Sequence, residues 1–125
     1  MIRVLIVDDY EVVRAGLEEL LAIAADMEVV GSTASAAQAV GRVAAADVDV
    51  VLIDVAEPQL DGTATTRELR RSAPNTKIVV LTASGDHDQI ATALDAGATG
   101  VLHKYDDPGH LLDGIRAAAR GEPPG

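Results

Sequence analysis

The sequence predicts an α/β protein built on a parallel sheet with helices on both faces. Two observations carry this. Short apolar runs rich in β-branched residues recur along the chain, and each is followed by a segment of helical periodicity or helix-capping chemistry. At 125 residues the chain is one domain by size and long enough to bury a core without cross-links. The first run, Ile2–Val7, ends at Asp8-Asp9 and reads as a strand buried on both faces. Val13, Leu17, Leu20, Leu21 and Ala24 then recur at helical spacing, so a helix is expected from Tyr10 to Ala25. Glu28–Ser32 is a short second strand. Ser35-Ala-Ala-Gln38 has the pattern of a capping box and opens a helix to Ala45. Asp49–Asp54 is a third strand around Val50–Ile53, and Glu57–Gly62 is loop chemistry. Thr63–Ser72 has weak periodicity and reads as helix from its length and its face of Arg67, Glu68, Arg70 and Arg71. Ala73-Pro74-Asn75 breaks it. Lys77–Thr82 is a fourth strand. Asp86 caps a helix carrying Ile90 and Leu94 that stops at Gly97. Gly100–His103 is a fifth strand. Asp107-Pro108 is an N-cap followed by Pro at the first helical position, and Leu111, Leu112, Ile115 and Ala119 give the last helix its apolar face. Residues 1–120 form the domain, and Gly121–Gly125, with two Pro and two Gly, is a tail or the start of a linker.

Composition narrows the function. Lys+Arg number 10 against 20 Asp+Glu, a formal net charge of −10, which disfavours nucleic acid and anionic membrane as direct partners. No apolar run approaches the ~20 residues of a membrane span, and the start of the chain reaches Asp8-Asp9 too soon for a signal peptide. There is no Cys, which excludes disulfides, thiolate metal sites and a cysteine nucleophile. A cytoplasmic location is expected. With two Tyr and neither Phe nor Trp, base-stacking platforms are not expected.

Alternating strands and helices imply right-handed βαβ crossovers, and sites in such sheets form beyond the carboxyl ends of the strands at the topological switch point. Asp8 and Asp9 end the first strand, Asp54 the third, Thr82 the fourth, and Lys104 follows the fifth. If the sheet is doubly wound with the first and third strands adjacent, three carboxylates converge. They repel one another unless a cation joins them, and a hard divalent ion such as Mg²⁺ suits their oxygens. Thr82 and Lys104 add a hydroxyl donor and a positive charge, which suit an incoming phosphoryl group, and a carboxylate can be the nucleophile that accepts it. A lone Asp at a strand end is usually a turn or cap residue, Lys104 alone a surface lysine, and Thr82 alone a strand residue of high β propensity. Their joint placement at four strand ends is what favours chemistry.

The stretches Val4-Leu5-Ile6-Val7-Asp8-Asp9, Asp54-Val55-Ala56-Glu57-Pro58-Gln59-Leu60-Asp61-Gly62, Leu81-Thr82-Ala83, Ala96-Gly97-Ala98-Thr99-Gly100 and Lys104, in this order, resemble the receiver domain of bacterial two-component response regulators. The resemblance implies a flavodoxin-like (CheY-like) doubly wound five-stranded parallel sheet, order 2-1-3-4-5, with five helices. It implies that Asp54 accepts a phosphoryl group from a histidine kinase. Asp9, Asp54 and the Ala56 carbonyl would bind Mg²⁺, with Asp8 doing so directly or through water. Thr82 and Lys104 would hold the phosphoryl oxygens. Glu11-Val12-Val13-Arg14-Ala15-Gly16-Leu17, Glu28-Val29-Val30-Gly31 and Leu111-Leu112-Asp113-Gly114-Ile115-Arg116-Ala117 look like the LuxR-type (NarL/FixJ) branch, whose members carry a helix-turn-helix domain after a linker. The chain is then either a receiver fragment, which reaches DNA only through a domain outside these residues, or a single-domain regulator.

Four residues depart from the family pattern. Glu57 replaces an apolar residue before Pro58, Val101 an inward-turning aromatic, Tyr105 a Pro and Tyr10 a His. Glu57 reads as a solvent-facing loop residue and Tyr10 as a partly buried helix-start residue. Without the aromatic at 101, switching is expected to rest on the Thr82–Gly85 loop and the helix after it, and to give a weak phosphorylation-dependent homodimer. The last helix around Leu111, Leu112 and Ile115 would contribute to that dimer, though most of this surface is expected in the core. His87, His103 and His110 lack metal-ligand spacing and read as surface or packing residues. Two other functions compete. One is a degenerate receiver acting as a phosphorylation-independent interaction module, an alternative that Glu57 and Val101 keep open. The other is an aspartate-nucleophile phosphatase, but Asp47-Val48-Asp49 precedes a strand and no room remains for a cap domain. Neither nucleotide-binding glycine motif is present.

Overall fold

Burial on both faces explains the apolar runs. β1 (Ile2–Val7), β3 (Val50–Asp54) and β4 (Lys77–Thr82) lie inside the sheet, and Val4–Val7, Val50–Ile53 and Ile78–Leu81 are each at most 1% exposed. The computed structural model describes residues 1–45, 47–54, 62–82, 87–103 and 107–122, Asp54 by its backbone. β2 (Met27–Thr33) and β5 (Gly100–His103) complete one sheet, ordered β2-β1-β3-β4-β5, with every pairing parallel. The chain runs outward from β1 to β2, then returns to lay β3, β4 and β5 on the other side. The switch point therefore lies beyond the carboxyl ends of β1 and β3.

Strand residues alternate between two cores. On one face Val4, Ile6, Leu52, Val79, Leu81 and Leu102 pack against Leu21 of α1 (Glu11–Ile23) and Leu111, Ile115 and Ala118 of α5 (Pro108–Ala119). On the other, Leu5, Val7, Val51, Ile53 and Val80 pack against Ala39 and Val43 of α2 (Ala36–Ala45), Leu69 of α3 (Gly62–Ser72) and Ala93 of α4 (His87–Asp95). Each fully buried Leu or Ile contributes about 1.5–3 kcal/mol relative to exposure.

Boundaries agree with the sequence to within two residues, and the deviations have local causes. Asp49 sits just ahead of β3 instead of in it. Its N–H donates to the Arg3 carbonyl (2.9 Å), its Oδ2 accepts from the Arg3 N–H (2.8 Å), and its carbonyl accepts from the Lys77 N–H (2.9 Å). Only half of the capping box forms. Ser35 Oγ accepts from the Gln38 N–H (3.2 Å), but the Ser35 N–H donates to Thr33 Oγ1 (3.0 Å), and Thr33 Oγ1 donates to Gln38 Oε1 (2.6 Å). α3 hides its inward face because Thr65 and Thr66 are buried beside Leu69. α4 is rotated from the apolar face read in the sequence. Ala93 is fully buried and Leu94 is 45% exposed, since the short Ala side chain allows close approach to the sheet. Asp107 caps α5, its Oδ2 accepting from the His110 N–H at 3.3 Å. Leu111 and Ile115 are core residues, so they are not available to a dimer surface, while Leu112 is partly buried. Gly114 lets α5 approach β5, because a Cβ there would lie 2.7 Å from both Leu102 methyls.

At the opposite end of the sheet from the switch point, the half-exposed Arg116 guanidinium donates to both Asp26 oxygens (2.8 and 3.1 Å) and to Asp113 Oδ1 (2.9 Å). The hydrogen bond from Arg116 holds the Asp26 carboxyl below the ordinary aspartate range.

Candidate functional site

The strand register assembles the site. Val7 is level with Ile53, so the next residues, Asp8 and Asp54, stand side by side at the carboxyl edge. Asp54 is level with Leu81, which puts Thr82 one step beyond it, and Thr82 is level with His103, the residue before Lys104. Asp8, Asp9, Thr82 and the Asp54 backbone thus occupy three adjacent strand ends. Asp8 is 1% exposed, Thr82 is fully buried and Asp9 is half-buried. The side chain of Asp54 lies outside the described residues, as do Ala56 and Lys104. So do Glu57, Tyr105, Ser84, Gly85 and Asp86.

Asp8 is held from three directions. Its N–H donates to the Thr33 carbonyl at the end of β2 (3.0 Å). Its Oδ1 accepts from the Tyr10 N–H (2.9 Å), closing a short side-chain turn that starts α1. Its carbonyl accepts from Arg14 Nη1 (2.6 Å). Tyr10 is the N-cap residue of α1 and is 49% exposed, more open than the partial burial expected of it. Thr33 is buried in turn, with its hydroxyl engaged by Ser35 and Gln38.

The sequence gives Arg14, Thr33 and Gln38 no role at the site: Gln38 reads only as part of a capping box and Arg14 only as part of a branch-like stretch. Arg14 did leave a signal, being the one basic residue between Arg3 and Arg42. Val101 is partly buried against the second core. His103 and His110 are exposed, as read from the sequence, and the His87 side chain lies outside the described residues.

Among the described residues no three His, Cys, Asp or Glu side chains form a metal-binding group. What is described still suits a hard cation. Two carboxylates follow one another at the end of β1, one nearly buried, beside the backbone position of a third on β3. All-oxygen donors of this kind match Mg²⁺ better than a softer metal.

Residues 4–116 match the response regulator receiver domain family. The transcriptional regulatory protein LiaR of Bacillus subtilis is 37% identical over 98% of this chain, and the chain spans 58% of LiaR. A two-component response regulator of the LuxR family from Aurantimonas sp. SI85-9A1 superposes with a TM-score of 0.89 at 29% identity, over 96% of this chain and 86% of that one. The receiver domain of the putative response regulator NarL from Mycobacterium tuberculosis gives 0.89 at 26% identity, over 97% and 98%. Among the described residues no helix is long and apolar enough to cross a membrane.

Proposed function

The chain belongs to the response regulator receiver domain family, resembling its LuxR-type branch, and from that premise we propose that it accepts a phosphoryl group on Asp54 from a histidine kinase. The observation that carries this is the register that sets Asp8-Asp9 beside position 54 and Thr82 one step beyond. In the proposed step a carboxylate oxygen of Asp54 forms a bond to phosphorus while the P–N bond of the kinase phosphohistidine breaks and its electron pair stays with the imidazole nitrogen. Thr82 donates its hydroxyl to a phosphoryl oxygen, and Lys104 places a positive charge on another. Asp8, Asp9, Asp54 and the Ala56 carbonyl would hold Mg²⁺, which would supply positive charge to the transferring group. The protein is a phospho-acceptor, not a turnover enzyme. The output is transcription, through a DNA-binding domain outside these residues, in keeping with the net charge of −10 and with the name of LiaR. A cytoplasmic location accompanies this role.

Val101 bears on how the signal leaves the site. It is small, β-branched and packed on the second core, so it cannot swing as an aromatic ring does. Phosphorylation therefore shifts the conformational population only in part and supports a weak homodimer.

Incubation with acetyl phosphate and Mg²⁺, followed by intact mass, tests the reading. One hydroxylamine-labile phosphoryl group is expected, lost on chelation and in Asp54→Ala. Lys104→Ala should bind Mg²⁺ and accept the group poorly. A protein that takes up no phosphoryl group, yet binds partners unchanged, is instead a phosphorylation-independent module. Sustained turnover of a generic phosphomonoester would make it a phosphatase.

A further inference from the structure

We propose that Arg14 is a positioning residue for the acidic pair, fixing the link between β1 and α1 so that Asp8 and Asp9 present their carboxylates to the cation. This rests on the phosphoryl-acceptor reading of the site and adds to it a residue that touches neither metal nor substrate.

Three observations converge. The contact is short and charge-assisted, with Arg14 Nη1 at 2.6 Å from the Asp8 carbonyl oxygen, and hydrogen bonds from an ionised donor are shorter and stronger than neutral ones. It closes a small cage. Only Asp8, Asp9 and Tyr10 join β1 to α1, and Asp8 is already fixed through its N–H to Thr33 and its Oδ1 to Tyr10. The Asp8 carbonyl is the atom through which the peptide plane leading to Asp9 is set, so a donor there orients Asp9. Helix energetics alone would not choose this residue, since Arg14 lies in the first turn, where the macrodipole favours acidic side chains such as Glu11. Its own N–H and that of Val13 both donate to the Tyr10 carbonyl, so Arg14 belongs to the turn it braces.

The two consequences of this guanidinium have opposite signs, which makes the idea testable. A positive charge beside the acidic pair opposes binding of another cation, whereas ordering the loop favours it. If positioning dominates, removing Arg14 weakens Mg²⁺ binding. If only charge matters, removing it strengthens binding.

The experiment compares wild type, Arg14→Met, Arg14→Lys and Asp9→Asn by calorimetric Mg²⁺ titration without any phosphoryl donor. Hydrogen exchange of the Tyr10 amide in the metal-free protein is read alongside. Outer-shell partners of metal ligands cost roughly 10–100-fold in affinity when removed, and about tenfold or more is expected for Arg14→Met, with faster Tyr10 exchange. Arg14→Lys, which keeps a charged donor, should recover much of both. Should Arg14→Met fail to fold, Arg14→Gln takes its place, with an affinity expected below those of wild type and Arg14→Lys. Mg²⁺ affinity in the Met or Gln variant equal to or higher than wild type overturns the positioning role while leaving the Mg²⁺ site intact. An Asp9→Asn protein that binds Mg²⁺ as wild type does overturns the site reading itself.

Discussion

Gly97 is where a single methyl group should do most damage. α4 ends in a Schellman turn, with the Ala98 N–H donating to the Ala93 carbonyl (3.1 Å) and the Gly97 N–H to the Leu94 carbonyl (3.0 Å). Gly97 sits at φ +115°, a conformation L residues rarely adopt. Replacing it with Ala costs about 1–2 kcal/mol for the backbone. The new Cβ would also lie 2.8 Å from Arg70 Cγ and 3.1 Å from Arg70 Cβ, too near the α3 backbone for a simple rotation to relieve. Arg70 must swing away, abandoning its bonds from Nε to the Gly97 carbonyl (3.1 Å) and from Nη1 to the Pro74 carbonyl (2.8 Å). At roughly 0.5–1.5 kcal/mol each, the total for Gly97→Ala comes to about 2–5 kcal/mol, a large share of the ~5–15 kcal/mol that holds a domain folded. Urea unfolding of a double-mutant cycle separates the parts, provided the slope of the transition is unchanged. In the Arg70→Ala background, which removes Cγ and both hydrogen bonds but keeps Cβ, Gly97→Ala should cost less, close to the backbone share of about 1–2 kcal/mol. A loss below ~0.5 kcal/mol in wild type, within the range of ordinary surface substitutions, or strict additivity with Arg70→Ala, would refute the reasoning.

Gly114→Ala gains about 1 kcal/mol of helix propensity but drives a methyl into the buried Leu102 methyls. With overpacking costs of roughly 1–3 kcal/mol, net destabilisation is expected in the same urea assay. Asp26→Asn should destabilise at neutral pH. Because the native Asp26 carboxyl titrates below its unfolded value, the stabilisation is present above the ordinary aspartate range and is lost as pH falls through the lowered native value. Thermal melts from pH 7 downward should therefore show wild type and variant converging in acid. Asp9→Asn relieves repulsion within the acidic cluster, so the metal-free variant should melt no lower than wild type. It should also lack the gain from Mg²⁺, about 2.7 kcal/mol for a ligand at a hundred times its Kd.

The strands were legible because burial on both faces leaves uninterrupted apolar runs, and β4, β5 and the Asp107-Pro108 start of α5 fall where sequence chemistry puts them. The helices on the second core were less so. α3 turns Thr65 and Thr66 inward, which blurs its periodicity, and α4 uses Ala93 where the larger Leu94 draws the eye. In α2 the Thr33 hydroxyl, from the preceding strand, takes over bonds that a local capping box would make. The placement of Asp8, Asp9, Asp54 and Thr82 at adjacent strand ends could be read because parallel register carries them to one edge. Arg14 could not be read in this way. Its acceptor is a backbone carbonyl six residues back, reached only because the β1–α1 link turns sharply, and no helical spacing encodes that.

Reductive trapping tests the acceptor assignment most directly. Borohydride converts an aspartyl phosphate to homoserine at the phosphorylated position, which peptide mass spectrometry locates. After acetyl phosphate with Mg²⁺, homoserine should be found at position 54 alone, and chelation of Mg²⁺ before the donor is added should abolish it. Homoserine at position 8 or 9, or none at all under conditions where the protein binds Mg²⁺, would contradict phosphoryl acceptance by Asp54.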